Sequence, residues 1–350
     1  MKSDGYDSGF FARLLNSDYA FAVWRRPNSK DIESVYCHKN EIVECQQIQD
    51  DFDGFVFAPF EWSADCPIFI LPDKQEVSLT DMSHRQHKGL EMAGHCATRE
   101  SYIHKLGLLL QRIGSEMPKV VLSRCQWFSQ FRMPDGPLLF GTLCDEYPEA
   151  FVYQVYIPQI GYWSGASPEL LFSANGNVGS TVALAGTQPA CNINWSQKEK
   201  TEQQLVARHI REVLKNNNVE FRQSETYTAK TGPLAHLRTD FDLDISNIRG
   251  RVGAFVASLH PTPAICGLPV SMARQALKEI EGYSRQYYSG FVGPISQSES
   301  MLYVNIRCFQ AFDDGMLIYA GGGITADSNP ENEWVETELK LANLLRFIKK

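Results

Sequence analysis

Leu302-Tyr-Val-Asn-Ile-Arg-Cys-Phe-Gln-Ala311, Asp313-Asp-Gly315 and Met316-Leu-Ile-Tyr-Ala320 read as two apolar strands joined by an acidic turn closed by glycine. That is the pattern of a β-hairpin. Gly321, Gly322 and Gly323 follow the second strand. Pro330 then opens a last helix that runs to Phe347. Proline suits a first helical turn because it lacks an N–H that would go unpaired there.

The same strand-rich character extends outward. Short strands are expected over 19–24, 54–58 and 67–71, then 119–124, 151–156, 169–172 and 179–184, with more β structure through 219–229 and 234–243. Residues 73–95 are polar and read as a surface excursion. Tyr102, Leu106, Leu109, Leu110 and Ile113 recur at helical spacing and predict a helix over 97–116. Further helices are expected over 196–216, 250–258 and 270–281. Strands outnumber helices and do not alternate with them, which predicts an α+β fold with mostly antiparallel sheets.

Composition narrows the class. Of 350 residues, 43% are hydrophobic and 21% charged, an ordinary globular balance with ample material for a large core. A net charge of −8 argues against a nucleic-acid footprint but leaves room for a locally positive pocket. No apolar run approaches the ~20 residues of a membrane-spanning helix, and the N-terminus lacks the basic-then-apolar order of a secretory signal. A cytoplasmic protein off the membrane is expected. The nine cysteines are scattered with no Cys-x-x-Cys, as expected of reduced thiols rather than disulfides or structural zinc. No repeat or long linker divides the chain, so one domain over 1–350 is expected.

Several polar residues break this apolar background. Glu199 and Glu202 share one helix face, as do Glu333 and Glu336. Such pairs are either solvated faces or, brought together, carboxylate ligands for a hard divalent cation. Lys119 opens an apolar strand as either an edge charge or a desolvated general base. Glu169, after Gly165-Ala-Ser-Pro168, stands at the start of a buried strand, where apolar walls raise a carboxyl pKa and make it a general acid. Gly186-Thr187 ends a strand, as an ordinary turn or as a source of N–H groups for an anion. Arg307 is a lone cation within an apolar strand, paired internally or reserved for a substrate carboxylate. The glycines at 321–323 match neither the phosphate loop nor the dinucleotide fingerprint.

Taken together, KVVLSR (119–124), GASPELLF (165–172), ALAGT (183–187), QQLVARHIREVL (203–214), LAHL (234–237), HPTPAICGLP (260–269), RQYYSGFVG (285–293), NIRC (305–308), YAGGGI (319–324) and EWVETELK (333–340) resemble the chorismate-utilising enzymes. That group holds the isochorismate, salicylate, anthranilate and aminodeoxychorismate synthases. The motifs occur in the family's order over residues 119–340. Residues 1–95 carry none and correspond to the family's variable N-terminal portion, with 97–350 as the motif-bearing portion. Ala185 stands where aminodeoxychorismate synthases carry a nucleophilic lysine, and the 260–267 run has the isochorismate-synthase form. Gln203 departs from the family's Glu-His pair.

The resemblance implies two face-packed antiparallel sheets flanked by helices. It implies Mg²⁺-dependent isomerisation of chorismate to isochorismate, for menaquinone or a siderophore, with no amidotransferase subunit. Salicylate synthesis and a non-catalytic chorismate-binding paralogue are the alternatives. Lys119 would be the base and Glu169 the acid. Glu202 and Glu336 would hold the metal, with Glu199 and Glu333 binding its waters. Gly186, Thr187, His260, Ala264, Tyr288, Ile306, Arg307, Gly321, Gly322, Gly323 and Lys340 would contact substrate. His236 is expected to be structural.

Overall fold

The computed structural model describes residues 7–348 apart from 16, 49–52, 73–86, 88, 90–93, 132, 232–233 and 297. Two antiparallel sheets form its centre. One has eight strands in the order Gly267–Leu268, Lys119–Phe128, Met316–Ile324, Cys308–Ala311, Gly161–Ser167, Phe151–Ile157, Tyr19–Arg25 and Ile32–His38. The other has ten strands. Nine follow the order Glu220–Gln223, Leu234–Asp244, Val178–Pro189, Leu170–Asn175, Glu299–Val304, Phe291–Ile295, Gly54–Ala58, Ile68–Leu71 and Val43–Cys45, and Tyr227–Thr231 also pairs with Leu234–Asp244. The fold is α+β, and strands from before residue 95 belong to both sheets.

Aromatic rings from the two inner faces fill the space between the sheets. Phe151 stacks on Tyr303 with ring centroids 4.7 Å apart, Trp24 lies 4.9 Å from Phe55, and Phe57 lies 5.9 Å from Trp163. Such rings bury large apolar areas, which makes this layer the main stabilising contact between the sheets.

Helices cover the outer faces. Gln197–Asn216 begins with a capping box, the Ser196 hydroxyl accepting from the Glu199 N–H and the Glu199 carboxylate from the Ser196 N–H. Its Val206, Ile210, Val213 and Leu214, at helical spacing, pack into one apolar cluster with Ala183, Ala185 and Phe241 of the ten-stranded sheet. Pro330–Ile348 starts on the Asn329 side chain, which accepts from the Glu331 and Asn332 N–H groups. Its Leu341 and Leu344 bury against the eight-stranded sheet with Leu139 and Leu143 of the helix Gly136–Glu146.

Three expectations need correction. The apolar run over 302–311 is not one strand: Glu299–Val304 belongs to the ten-stranded sheet and Cys308–Ala311 to the eight-stranded one. Between them the chain crosses the sandwich at Asn305, whose side chain donates to the Tyr287 carbonyl at 2.8 Å and accepts from the Tyr153 hydroxyl at 2.5 Å. Arg307 therefore stands at a crossing, with φ of 51°. The glycines 321–323 lie inside the strand Met316–Ile324, and Gly186-Thr187 lie within Val178–Pro189 at a register shift between Ala185 and Gln188. At φ of 69°, Gly186 occupies the left-handed region that favours glycine. The helices Ser8–Leu14 and Gly136–Glu146 lie outside the predicted set. Most of the 73–95 excursion lies outside the described residues, but the His87 and Gly89 N–H groups donate to Asp313 and Asp314 in the hairpin turn.

All nine cysteines are free thiols. Among the described residues, no helix is long and apolar enough to cross a membrane.

Candidate active site

A cleft of about 810 Å³, counted out to its open mouth, brings together residues from distant parts of the chain. Of the predicted site residues, Glu169, Gly186, Thr187, Glu202, Ala264, Tyr288, Ile306, Arg307, Gly321, Gly323, Glu336 and Lys340 line it. Lys119, Glu199, His260, Gly322 and Glu333 do not.

Glu169 sits between the strands Gly161–Ser167 and Leu170–Asn175, and its carbonyl accepts from the Val304 N–H at 2.9 Å. Its side chain is buried, and its only hydrogen-bond donor among the described residues is the Thr262 hydroxyl at 3.5 Å. Burial pushes its pKa up to about 7, against the pull of Lys119, Arg307 and Lys340. It is a carboxylic acid able to give a proton near neutral pH.

Lys119 is fully buried behind this wall, with Nζ 2.9 Å from Glu202 Oε1. Burial pushes the Glu202 carboxyl up, but Lys119, Lys198 and Lys340 outweigh it and hold the pKa below the usual value. Gly323 makes this pairing possible, because a Cβ there would stand 2.2 Å from Glu202 Oε1.

The other carboxylates are also partnered. Glu333 is buried and ion-paired to Lys198, a residue the sequence reading passed over. Burial and the neighbouring Glu336 raise its pKa against Lys198 and the Ser328 hydroxyl, and among the described residues its Oε2 makes no hydrogen bond of good geometry. Glu336 Oε1 lies 2.8 Å from Lys340 Nζ, which also donates to the Gly321 carbonyl at 2.7 Å. Glu199 accepts from the Ser196 N–H at 2.7 Å and from Gln188 Nε2 at 2.6 Å, so it is committed to capping its helix.

Among the described residues, no three metal-binding side chains form a closed ligand cluster. Mg²⁺ does not require one, since it takes one or two carboxylates and completes its shell with water and substrate oxygens. Glu202, Glu336 and Glu333 offer hard oxygen donors, and Glu202 and Glu336 face the cleft. The donor set fits such a cation, with three lysines now balancing its charge.

Two histidines exchange their expected places. His260 is buried and does not line the cleft; it lies 5.7 Å from the Trp62 ring and 5.1 Å from Phe291, with Nε2 3.1 Å from the Phe60 carbonyl. Burial pushes its pKa down to about 3. Its position in a loop motif suggested substrate contact, but the packing around it is aromatic. His236, expected to be structural, lines the cleft. Its Nδ1 lies 2.8 Å from the Gly186 carbonyl and its Nε2 touches Arg307 Nη2. Tyr288 stacks on Tyr319 at 5.1 Å, and both line the cleft beside Arg307.

The sequence pattern of the chorismate binding enzyme family matches residues 72–349; the chain belongs to that family. Among its relatives is the isochorismate synthase EntC of Escherichia coli K12, 32% identical over 243 residues, or 66% of this chain and 62% of EntC. Another is the isochorismate synthase DhbC of Bacillus subtilis, 33% identical over 196 residues, covering 52% and 49% of the two chains. The matches thus span about three-fifths and about half of those relatives. The fold is shared with the menaquinone-specific isochorismate synthase MenF of Escherichia coli, at a TM-score of 0.77 and 18% identity over 99% of this chain and 92% of MenF. It is shared less closely with anthranilate synthase component I of Streptococcus pneumoniae, at a TM-score of 0.62 and 16% identity over 93% and 89%.

Proposed function

We propose that this protein is an isochorismate synthase, converting chorismate to isochorismate by adding water at ring carbon 2 and expelling the carbon 4 hydroxyl. The observation that carries this reading is a buried acid, Glu169, on the cleft wall with a buried amine, Lys119, behind that wall. Glu169, with a pKa near 7, holds a proton to give the departing hydroxyl, which leaves as water. Lys119 is the base in this reading: its amine, ion-paired to Glu202 in this structure, sheds its own proton before it takes one from the incoming water. The ring double bonds shift between the two carbons, so no net oxidation occurs. General acid–base help of this kind contributes roughly 10²–10⁴-fold.

Arg307 binds the enolpyruvyl carboxylate, helped by the Tyr288 hydroxyl, and the Gly186-Thr187 bulge offers backbone contacts. Ala264, Ile306, Gly321 and Lys340 complete the substrate's surroundings. Glu202 and Glu336 would hold Mg²⁺, with Glu333 beside them. When bound, the ion neutralises the ring carboxylate and fixes the ring. This local set of cations lets a chain of net charge −8 take a dianion. Water as nucleophile makes an amidotransferase subunit unnecessary, and a cytoplasmic location fits this chemistry.

Purified protein with chorismate and Mg²⁺ is expected to yield isochorismate, read by chromatography, with no salicylate fluorescence. Unconverted chorismate at neutral pH would overturn the assignment, and salicylate as the main product would replace it.

A further inference from the structure

We propose that His236 is a positioning residue for the substrate-binding arginine: donating from Nδ1 to the Gly186 carbonyl, its imidazole offers Nε2 to Arg307 and so aims the guanidinium into the cleft. This deepens the reading of Arg307 as the partner of a substrate carboxylate and rests on it.

The three groups come from separate segments. His236 stands in Leu234–Asp244, Gly186 in the bulge of Val178–Pro189, and Arg307 at the crossing between the sheets. A carbonyl oxygen only accepts hydrogen bonds, so the 2.8 Å contact with Gly186 places the imidazole hydrogen on Nδ1. Nε2 then carries a lone pair, and the contact with Arg307 Nη2 runs from guanidinium to imidazole. A doubly protonated ring would instead set two cations against each other. Burial, and then Arg307, hold the His236 pKa well below the ordinary value, so the ring stays neutral.

Arg307 gains direction from this contact. Its Nη1 is buried and has no hydrogen-bond partner among the described residues. With Nη2 held by His236, Nη1 is a donor still free for an incoming carboxylate. The same imidazole ties the Gly186 carbonyl to the neighbouring strand, and Thr187 Oγ1 lies 3.4 Å from its Nδ1. One ring thereby sets both the guanidinium and the bulge that flank the substrate. An arginine side chain has many rotamers, and an acceptor that fixes its end reduces the entropy lost on binding.

Two variants separate this role from simple packing. His236→Leu removes donor and acceptor, whereas His236→Gln keeps one of each on a single amide. For His236→Leu, KM for chorismate is expected to rise about 10- to 100-fold, the worth of one charge-assisted hydrogen bond. Its kcat should stay within about threefold, and His236→Gln should recover most of the lost affinity. An unchanged KM in His236→Leu, a loss confined to kcat, or a glutamine variant as poor as the leucine one would overturn the proposal.

A second measurement does not depend on activity. Nitrogen-15 spectra of histidine-labelled protein, assigned with His236→Gln, should report an Nδ1–H tautomer whose Nε2 resonance moves in Arg307→Met. An Nε2–H tautomer, or no response to Arg307→Met, would overturn the pairing. If the wild-type protein makes no isochorismate, the functional reading falls and the spectrum alone decides the His236–Arg307 contact.

Discussion

Replacing Glu169 by glutamine should stabilise the protein while abolishing its turnover, and the stabilisation should depend on pH. The folded protein raises this carboxyl from 4.5 to about 7 because burial disfavours the charged form more than nearby cations favour it. The native state therefore binds the proton more tightly than the unfolded chain does between those values. Stability contributed by this group is fully present below about pH 4.5, falls as pH rises, and levels off above about pH 7. At 1.36 kcal/mol for each unit of pH, the loss comes to about 3 kcal/mol. Glutamine mimics the neutral acid and escapes it. In a chain of this length, with an unfolding entropy of roughly 2.1 cal/mol/K for each residue, that corresponds to a Tm about 4 °C higher for Glu169→Gln at pH 8. Near pH 4.5 the two proteins should melt together. Scanning calorimetry or urea unfolding at both pH values tests this. An advantage that is absent at pH 8, or larger in acid, would refute the assignment of Glu169 as an acid held neutral by burial. Because the same proton serves the departing hydroxyl, kcat of the wild type should decline above about pH 7.

Three further outcomes follow from the pairs behind the cleft. Lys119→Ala should abolish turnover while leaving chorismate binding, followed by calorimetric titration, largely intact. It should also destabilise the protein by about 3–5 kcal/mol, because Glu202 is left buried without its partner at 2.9 Å; Lys119→Ala with Glu202→Gln should regain much of that loss. Glu202→Gln alone should weaken Mg²⁺ dependence and chorismate binding together, measured by titrating activity against the metal; an unchanged metal requirement would remove Glu202 from the ligand set. Gly323→Ala should displace the Glu202 carboxylate, which a Cβ at 2.2 Å cannot tolerate. The group displaced is the end of a flexible side chain, so the expected readout is a weakened response to Mg²⁺ rather than a large loss of Tm.

Much of the fold was legible because strands and helices carry different periods. Tyr19–Arg25, buried along its whole length, and Gln197–Asn216, with its capping box, both fall close to their expected bounds. The helix Gly136–Glu146 was not expected; Gly136, Pro137 and Gly141 weaken its local helical signal, although proline in a first turn is compatible with a helix. The run over 302–311 looked continuous because apolar periodicity records burial, not which sheet supplies it.

The site divides in the same way. Residue type and spacing left Glu169, Lys119 and the two acidic pairs open between plain structural roles and chemistry; the ordered motifs, through the resemblance to the family, implied an acid, a base and metal ligands. None of that could sort one histidine from another, since both stand in plausible motifs and a neutral imidazole serves core and cleft equally. The choice depends on which groups approach from other strands: Trp62 and Phe291 surround His260, whereas Gly186 and Arg307 flank His236. The partners of the carboxylates were hidden for the same reason. Lys119 and Glu202 are far apart in sequence and meet only where the strand Lys119–Phe128 runs beside the strand carrying Gly323. Local sequence determines elements and the chemistry available to them; long-range packing decides which charges are desolvated together, and desolvation sets the pKa of Glu169 and the partners of the buried lysines.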